Sequence, residues 1–62
     1  NLISLNNASK EQLMTIKGIG DETADKVIEY RQKQRCNMIE DIKNISGIGD
    51  KTYLRIRSLL CL

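Results

Sequence analysis

Ile16-Lys17-Gly18-Ile19-Gly20-Asp21-Glu22-Thr23 returns 29 residues later as Ile45-Ser46-Gly47-Ile48-Gly49-Asp50-Lys51-Thr52, with six of the eight positions identical. The chain is therefore one supersecondary unit written twice. Outside that window the character persists, since Leu13 matches Ile42, Lys26 matches Arg55 and Val27 matches Ile56. Each copy reads as a short helix, a tight Gly-x-Gly hairpin and a second helix. Glycine tolerates the positive φ that a tight reversal needs, and its missing Cβ lets another backbone come close. Ile19 and Ile48, between the glycines, are expected to point inward and pin each hairpin to the core.

Start signals agree with that frame. Ser9 followed by Gln12, and Asn37 followed by Glu40, have capping-box spacing, so helices should begin just after Ser9 and Asn37. Asp21 and Asp50 stand directly after each hairpin as N-cap candidates for the two longer helices. Apolar residues follow at helical spacing: Leu13 and Ile16, then Ala24, Val27 and Ile28, then Ile39, Ile42 and Ile45, then Tyr53, Ile56, Leu59 and Leu60. Four helices and no strand are predicted. The polar connector from Gln32 to Asn37 is short enough that the two units should pack on each other.

Composition narrows the function. The 62 residues hold no His, Trp, Phe or Pro, with 10 basic and 8 acidic side chains. Without His the commonest general base and the commonest metal ligand are gone, so hydrolytic triads and zinc sites are excluded. No catalytic residue, metal or cofactor is expected. Net charge is +2, which permits an anionic partner without demanding one. Its distribution is uneven: residues 1–31 sum to −1 and residues 32–62 to +3. Nothing approaches the apolar run of a membrane span, so no membrane insertion is expected. Cys36 reads as a small core residue and Cys61 as a tail thiol, with a disulfide between them as the less favoured alternative.

A helix that starts immediately after a glycine turn presents amides without intrahelical partners at the positive end of its dipole, an arrangement that binds anions. Dinucleotide and Walker readings fail. Gly18 to Thr23 lacks a third glycine and a preceding strand, and Gly49-Asp50-Lys51-Thr52 lacks the upstream glycine spacing.

The pattern Leu13-x-x-Ile16-x-Gly18-Ile19-Gly20-x-x-x-Ala24-x-x-Val27-Ile28, with Ile42 to Ile56 as its second copy, resembles the helix-hairpin-helix motif. Leu5-Asn6-Asn7-Ala8-Ser9, Glu29-Tyr30-Arg31 and Ile39-Glu40-Asp41-Ile42 make the chain similar to the DNA-binding domains of the ComEA competence family. The resemblance runs from about Leu5 to Leu60. It implies an all-α fold: a compact four-helix tandem helix-hairpin-helix domain over residues 1–62 with two pseudo-symmetric Gly-Ile-Gly hairpins, copy one about 9–34 and copy two about 37–61.

For function, the resemblance implies binding of double-stranded DNA without sequence preference, hairpin amides gripping phosphates across the minor groove. The setting it implies is DNA uptake in natural transformation, with the domain periplasmic or otherwise outside the cytoplasmic membrane and other uptake proteins as further partners. Carried over by position, Gly18, Ile19, Gly20, Gly47, Ile48 and Gly49 would contact DNA through main-chain N–H groups. Lys17, Thr23, Lys26, Lys51, Thr52 and Arg55 would flank them. Asp21 and Glu22 repel phosphate beside hairpin one, whereas Lys51, Arg55 and Arg57 favour hairpin two, so the second hairpin is expected to bind more strongly. Two other readings stay open: a degenerate protein-interaction module, and the DNA-binding module of a repair or recombination protein, which would be cytoplasmic.

Overall fold

The computed structural model describes residues 2–62. In chain order it contains β1 (Ile3–Ser4), α1 (Lys10–Met14), α2 (Asp21–Lys33), a 3-10 helix (Ile39–Asn44), α3 (Asp50–Ile56), a 3-10 turn (Arg57–Leu59) and β2 (Leu60–Cys61). The fold is small, compact and mostly helical. Its core gathers Leu5, Leu13, Ile16, Ile19, Ala24, Val27, Ile42, Ile45, Ile48 and Ile56 with Ala8, Cys36 and Leu60. Both residues that stand between glycines are in that core.

Ser9 caps α1 as its spacing predicts. Its Oγ accepts from the Gln12 amide at 3.1 Å while Gln12 Oε1 accepts from the Ser9 amide at 2.9 Å. The Asn37–Glu40 box does not form. Asp41 replaces it, its carboxylate accepting from the Asn37 amide at 2.8 Å and the Met38 amide at 3.3 Å. The helix that follows is 3-10 rather than α. Ile39 and Ile42, with Ile45 as the extended C-cap, recur every third residue, the period at which 3-10 side chains stack in line.

The hairpin helices and the termini also differ from what the sequence predicts. Asp21 and Asp50 are not N-caps: Gly20 and Gly49 take that position in extended backbone, and the aspartates are already the first helical residues. The chain also has strand structure, because β1 and β2 pair in parallel with Ile3 opposite Leu60 and Ser4 opposite Cys61. Leu5 N–H donates to the Cys61 carbonyl at 2.8 Å, and Ser4 Oγ to the Leu62 carbonyl at 2.9 Å. The two ends of the chain thereby close on each other. Asn6 extends the clasp by accepting from the Cys36 amide (2.9 Å) and donating to the Cys36 carbonyl (3.1 Å). Arg31 holds the Leu5 carbonyl at 3.1 Å.

Cys36 is buried, as expected, and Cys61 is half-buried in β2; both thiols are free. Burial pushes the Cys36 thiol above its ordinary pKa, and the nearby Asp41 carboxylate adds to the shift.

Candidate nucleic-acid interface

Both hairpins turn on their first glycine. Gly18 has φ +110° and Gly47 φ +100°, conformations that a side chain would strain. The next residue then drops into the core, Ile19 and Ile48 being 3% exposed. Their amides are occupied as well: Ile19 N–H donates to the Ile16 carbonyl at 3.0 Å and Ile48 N–H to the Ile45 carbonyl at 3.1 Å. These two residues therefore anchor the bends, and their N–H groups are not the outward donors that the motif reading assigned to them.

The outward donors lie one step further on. In α2 the first amide with a helical partner is that of Ala24, bonded to the Gly20 carbonyl at 2.9 Å. In α3 it is that of Tyr53, bonded to the Gly49 carbonyl at 2.9 Å. Neither glycine has a side chain to cap the amides before those, and no side-chain cap bond forms at either helix. Among the described residues, the amides of Asp21, Glu22 and Thr23, and of Asp50, Lys51 and Thr52, have no protein acceptor. Helix α1, which follows no hairpin, has a side-chain cap, the Ser9–Gln12 box, that takes up the Gln12 amide.

The second glycines, Gly20 and Gly49, have φ −92° and ψ near 180°. Any residue adopts such a backbone. A Cβ added at either meets nothing within 4 Å. The first glycines differ, because a Cβ on Gly18 would stand 3.4 Å from the Thr52 methyl and one on Gly47 would stand 3.3 Å from the Thr23 hydroxyl. Each hairpin thus abuts the threonine at the start of the other copy's long helix. Thr23 and Thr52, read from sequence as flanking phosphate groups, sit half-buried at this seam.

The crossing decides where the cations fall. An open groove of about 640 Å³ is lined by Lys17 and Gly18 from the first hairpin and by Thr52, Arg55, Ile56 and Leu59 from the second copy. A smaller one, about 250 Å³, joins Ile45 and Ser46 of the second hairpin to Lys26, Glu29, Tyr30 and Lys33 of α2. Lys17 and Arg55 share the larger groove with no carboxylate, whereas the smaller one holds the Lys33–Glu29 pair at 3.9 Å. Lys51 is exposed and lines neither groove. Tyr30 packs against the core and its hydroxyl accepts from Asn44 Nδ2 at 3.1 Å.

Sequence reasoning missed two lysines at the hairpins. Lys10 Nζ pairs with the Asp21 carboxylate and lies 3.1 Å from Asp25 Oδ1. Lys43 Nζ lies 3.5 Å from Asp50 Oδ1 and 5.3 Å above the Tyr53 ring. Hydrogen bonding to Asp21, then to Asp25, raises the Lys10 pKa above its ordinary value. No repeat signal marks these lysines, because they occupy non-equivalent positions in the two copies.

The family model described as "Helix-hairpin-helix motif" matches residues 1–61. The chain is 41% identical over 58 residues to "ComE operon protein 1" of Bacillus subtilis (strain 168), covering 92% of this chain and 28% of that protein. It is 37% identical over 59 residues to "Kinesin-like protein KIN-10B" of Oryza sativa subsp. japonica, covering 92% of this chain and 8% of that one. It is also 28% identical over 61 residues to "Endonuclease/exonuclease/phosphatase family domain-containing protein 1" of Xenopus laevis, covering 97% and 11%. The chain spans under a third of the length of each of these relatives.

Proposed function

This chain belongs to the helix-hairpin-helix family, and on that premise we propose that it binds double-stranded DNA through phosphates, without sequence preference. The two hairpins act as a pseudo-symmetric pair within one tandem domain, copy one about 9–34 and copy two about 37–61. Phosphates on the minor-groove side meet the free amides behind Gly20 and Gly49. Lys17 and Arg55 in the larger groove, with Lys26 in the smaller one and the exposed Lys51, supply the counter-charge. Gly18 and Gly47 shape the bends, Ile19 and Ile48 anchor them, and Thr23 and Thr52 hold them against each other. Phosphate contacts confer position and affinity but no base readout, which suits a receptor for arbitrary DNA.

The observation that carries this reading is the glycine at positions 20 and 49. Nothing inside the protein requires it there, since the torsions are ordinary and the space beside each Cα is open. A phosphate approaching the helix start does require it, because a methyl group would stand in its path. The absence of a capping side chain has the same sense: an Asp or Ser at those positions would occupy the amides a phosphate needs.

Gly20→Ala and Gly49→Ala test this. Each should leave the thermal unfolding within about 1 kcal/mol of wild type, the scale of an N-cap change. Each should nevertheless weaken duplex binding roughly tenfold, as expected for losing a charge-assisted hydrogen bond. Unrelated duplex sequences should bind alike, with a log–log salt slope of about −0.9 per phosphate contacted. Alanine variants that bind as wild type, or marked sequence selectivity, would overturn the reading.

The setting we propose is DNA uptake outside the cytoplasmic membrane, alongside other uptake proteins; the likeness to ComE operon protein 1 supports it. Among the described residues no helix is long and apolar enough to cross a membrane. Disrupting the gene should abolish internalisation of labelled DNA by competent cells. Undiminished uptake would reject that setting and leave duplex binding to be judged by titration.

A further inference from the structure

We propose that Lys10 is the internal counter-ion of the first hairpin: it holds the carboxylates at the start of α2 so that a phosphate can reach the free amides there. The inference rests on the DNA reading above and concerns the same site. Around hairpin one, Asp21, Glu22 and Asp25 stand against Lys17 and the Arg55 that the second copy contributes, an excess of negative charge where an anion must land. Lys10 comes from the preceding helix, pairs with Asp21 and lies 3.1 Å from Asp25, which brings the two signs level. Its ammonium is committed to those carboxylates and is therefore a positioning group that acts on the phosphate through them.

A second instance strengthens the assignment. Asp50, the matching first residue of α3, is held at 3.5 Å by Lys43, again a lysine from the helix preceding the hairpin. Lys10 and Lys43 are not equivalent by the 29-residue repeat, which would align Lys10 with Ile39 and Lys43 with Met14. The same charge relation is thus built from two unrelated positions. Duplication alone does not account for that, whereas a shared electrostatic need at both hairpins does.

The test is titration of a fluorescent duplex at several salt concentrations with wild type, Lys10→Gln, Lys10→Gln/Asp21→Asn and Arg35→Gln. Arg35→Gln removes one positive charge just beyond the far end of α2, whose length by helix rise is about 18 Å, more than a Debye length at physiological salt. Lys10→Gln should bind roughly two- to fivefold more weakly, the scale of one partly exposed charge pair, with the salt slope unchanged. The Asp21→Asn double variant should return to wild-type affinity, and Arg35→Gln should lose less than Lys10→Gln. A slope reduced by about 0.9 would mean that Lys10 itself touches phosphate and would overturn the proposal. A double variant as weak as Lys10→Gln would overturn it too, by showing a structural role. Wild type without duplex affinity would instead defeat the DNA reading, an outcome visible before any variant is compared.

Discussion

Hairpin one and hairpin two share a backbone and differ in their electrical surroundings. Gly18 and Gly47 turn within 10° of each other in φ, and Gly20 and Gly49 have the same φ of −92°. Ile19 and Ile48 are buried to the same extent. Around that common frame the free positions diverge: Lys17 in the first copy corresponds to Ser46 in the second, and Glu22 to Lys51. Glycine and isoleucine fix the shape, then, while the intervening positions set the field. Because each hairpin abuts the opposite copy, the field does not follow sequence order. Arg55, counted by copy, belongs to hairpin two, yet it lines the groove of hairpin one beside Lys17.

The equivalence of the two frames is open to attack first through the core. Ile19→Ala and Ile48→Ala should each cost roughly 2–5 kcal/mol, the range for truncating a buried aliphatic side chain. For a domain of this size that is a large part of total stability. Urea unfolding should give similar losses for the two. A gap beyond about 1.5 kcal/mol would show that one hairpin is anchored by something the other lacks.

The bends come next. Gly18→Ala and Gly47→Ala force a side chain into positive φ and should cost roughly 1–3 kcal/mol each. The same substitution at Gly20 or Gly49 should cost clearly less, because an added Cβ there meets only open space. Thermal melts of the four variants should therefore fall into two pairs, sorted by place within the hairpin rather than by copy. Sorting by copy would break the comparison.

Charge variants sharpen it. Lys17→Gln and Arg55→Gln should each reduce the salt slope of duplex binding by about 1 and weaken binding roughly three- to fivefold. Their effects should be non-additive, as for residues sharing one partner, whereas Lys26→Gln and Lys51→Gln should add. Counting charges along the chain gives a different ranking, in which Lys51 and Arg55 together outweigh Lys17 and Lys26. Affinities of the four single variants and the two double variants decide between them.

How much of this was legible follows from the range over which each feature is determined. The Ser9–Gln12 cap is local and forms as its spacing predicts, whereas the same spacing at Asn37–Glu40 loses to the Asp41 carboxylate one residue on. The glycine bends and buried isoleucines are likewise local, and the repeat doubles their signal. Asp21 and Asp50 misled because an acidic residue after a turn resembles an N-cap, when the extended glycine before it already fills that position. The 3-10 helix was in fact written in the sequence as isoleucine at every third position, but three-residue spacing also fits one face of an α-helix. The pairing of Ile3–Ser4 with Leu60–Cys61 left no local mark, since two-residue strands at opposite ends of a chain have no periodicity to read. The crossing of the hairpins is of the same kind. A repeat shows that there are two copies without showing which helix each bend will meet, and so Lys17 with Arg55, and Lys10 with Asp21, could only be seen in three dimensions.

The smallest expected effect is also the most direct test of whether hairpin two touches DNA. Ser46 occupies the position of Lys17, is exposed, and lines the smaller groove with Lys26 and Lys33. Ser46→Lys should leave stability within about 0.5 kcal/mol, as for most exposed substitutions. If hairpin two lies on the duplex, binding should tighten roughly twofold to fivefold, and the salt slope should steepen by up to about 0.9. Glu29 is the competitor, since it lines the same groove and its own partner Lys33 is 3.9 Å away; a new lysine has an acceptor there before any phosphate arrives. Ser46→Lys/Glu29→Gln removes that acceptor. A gain that appears only in the double variant identifies the carboxylate as what distinguishes the two grooves. No gain in either variant would mean that the duplex rests on hairpin one and its borrowed arginine, and that the second hairpin serves chiefly to hold the first in place.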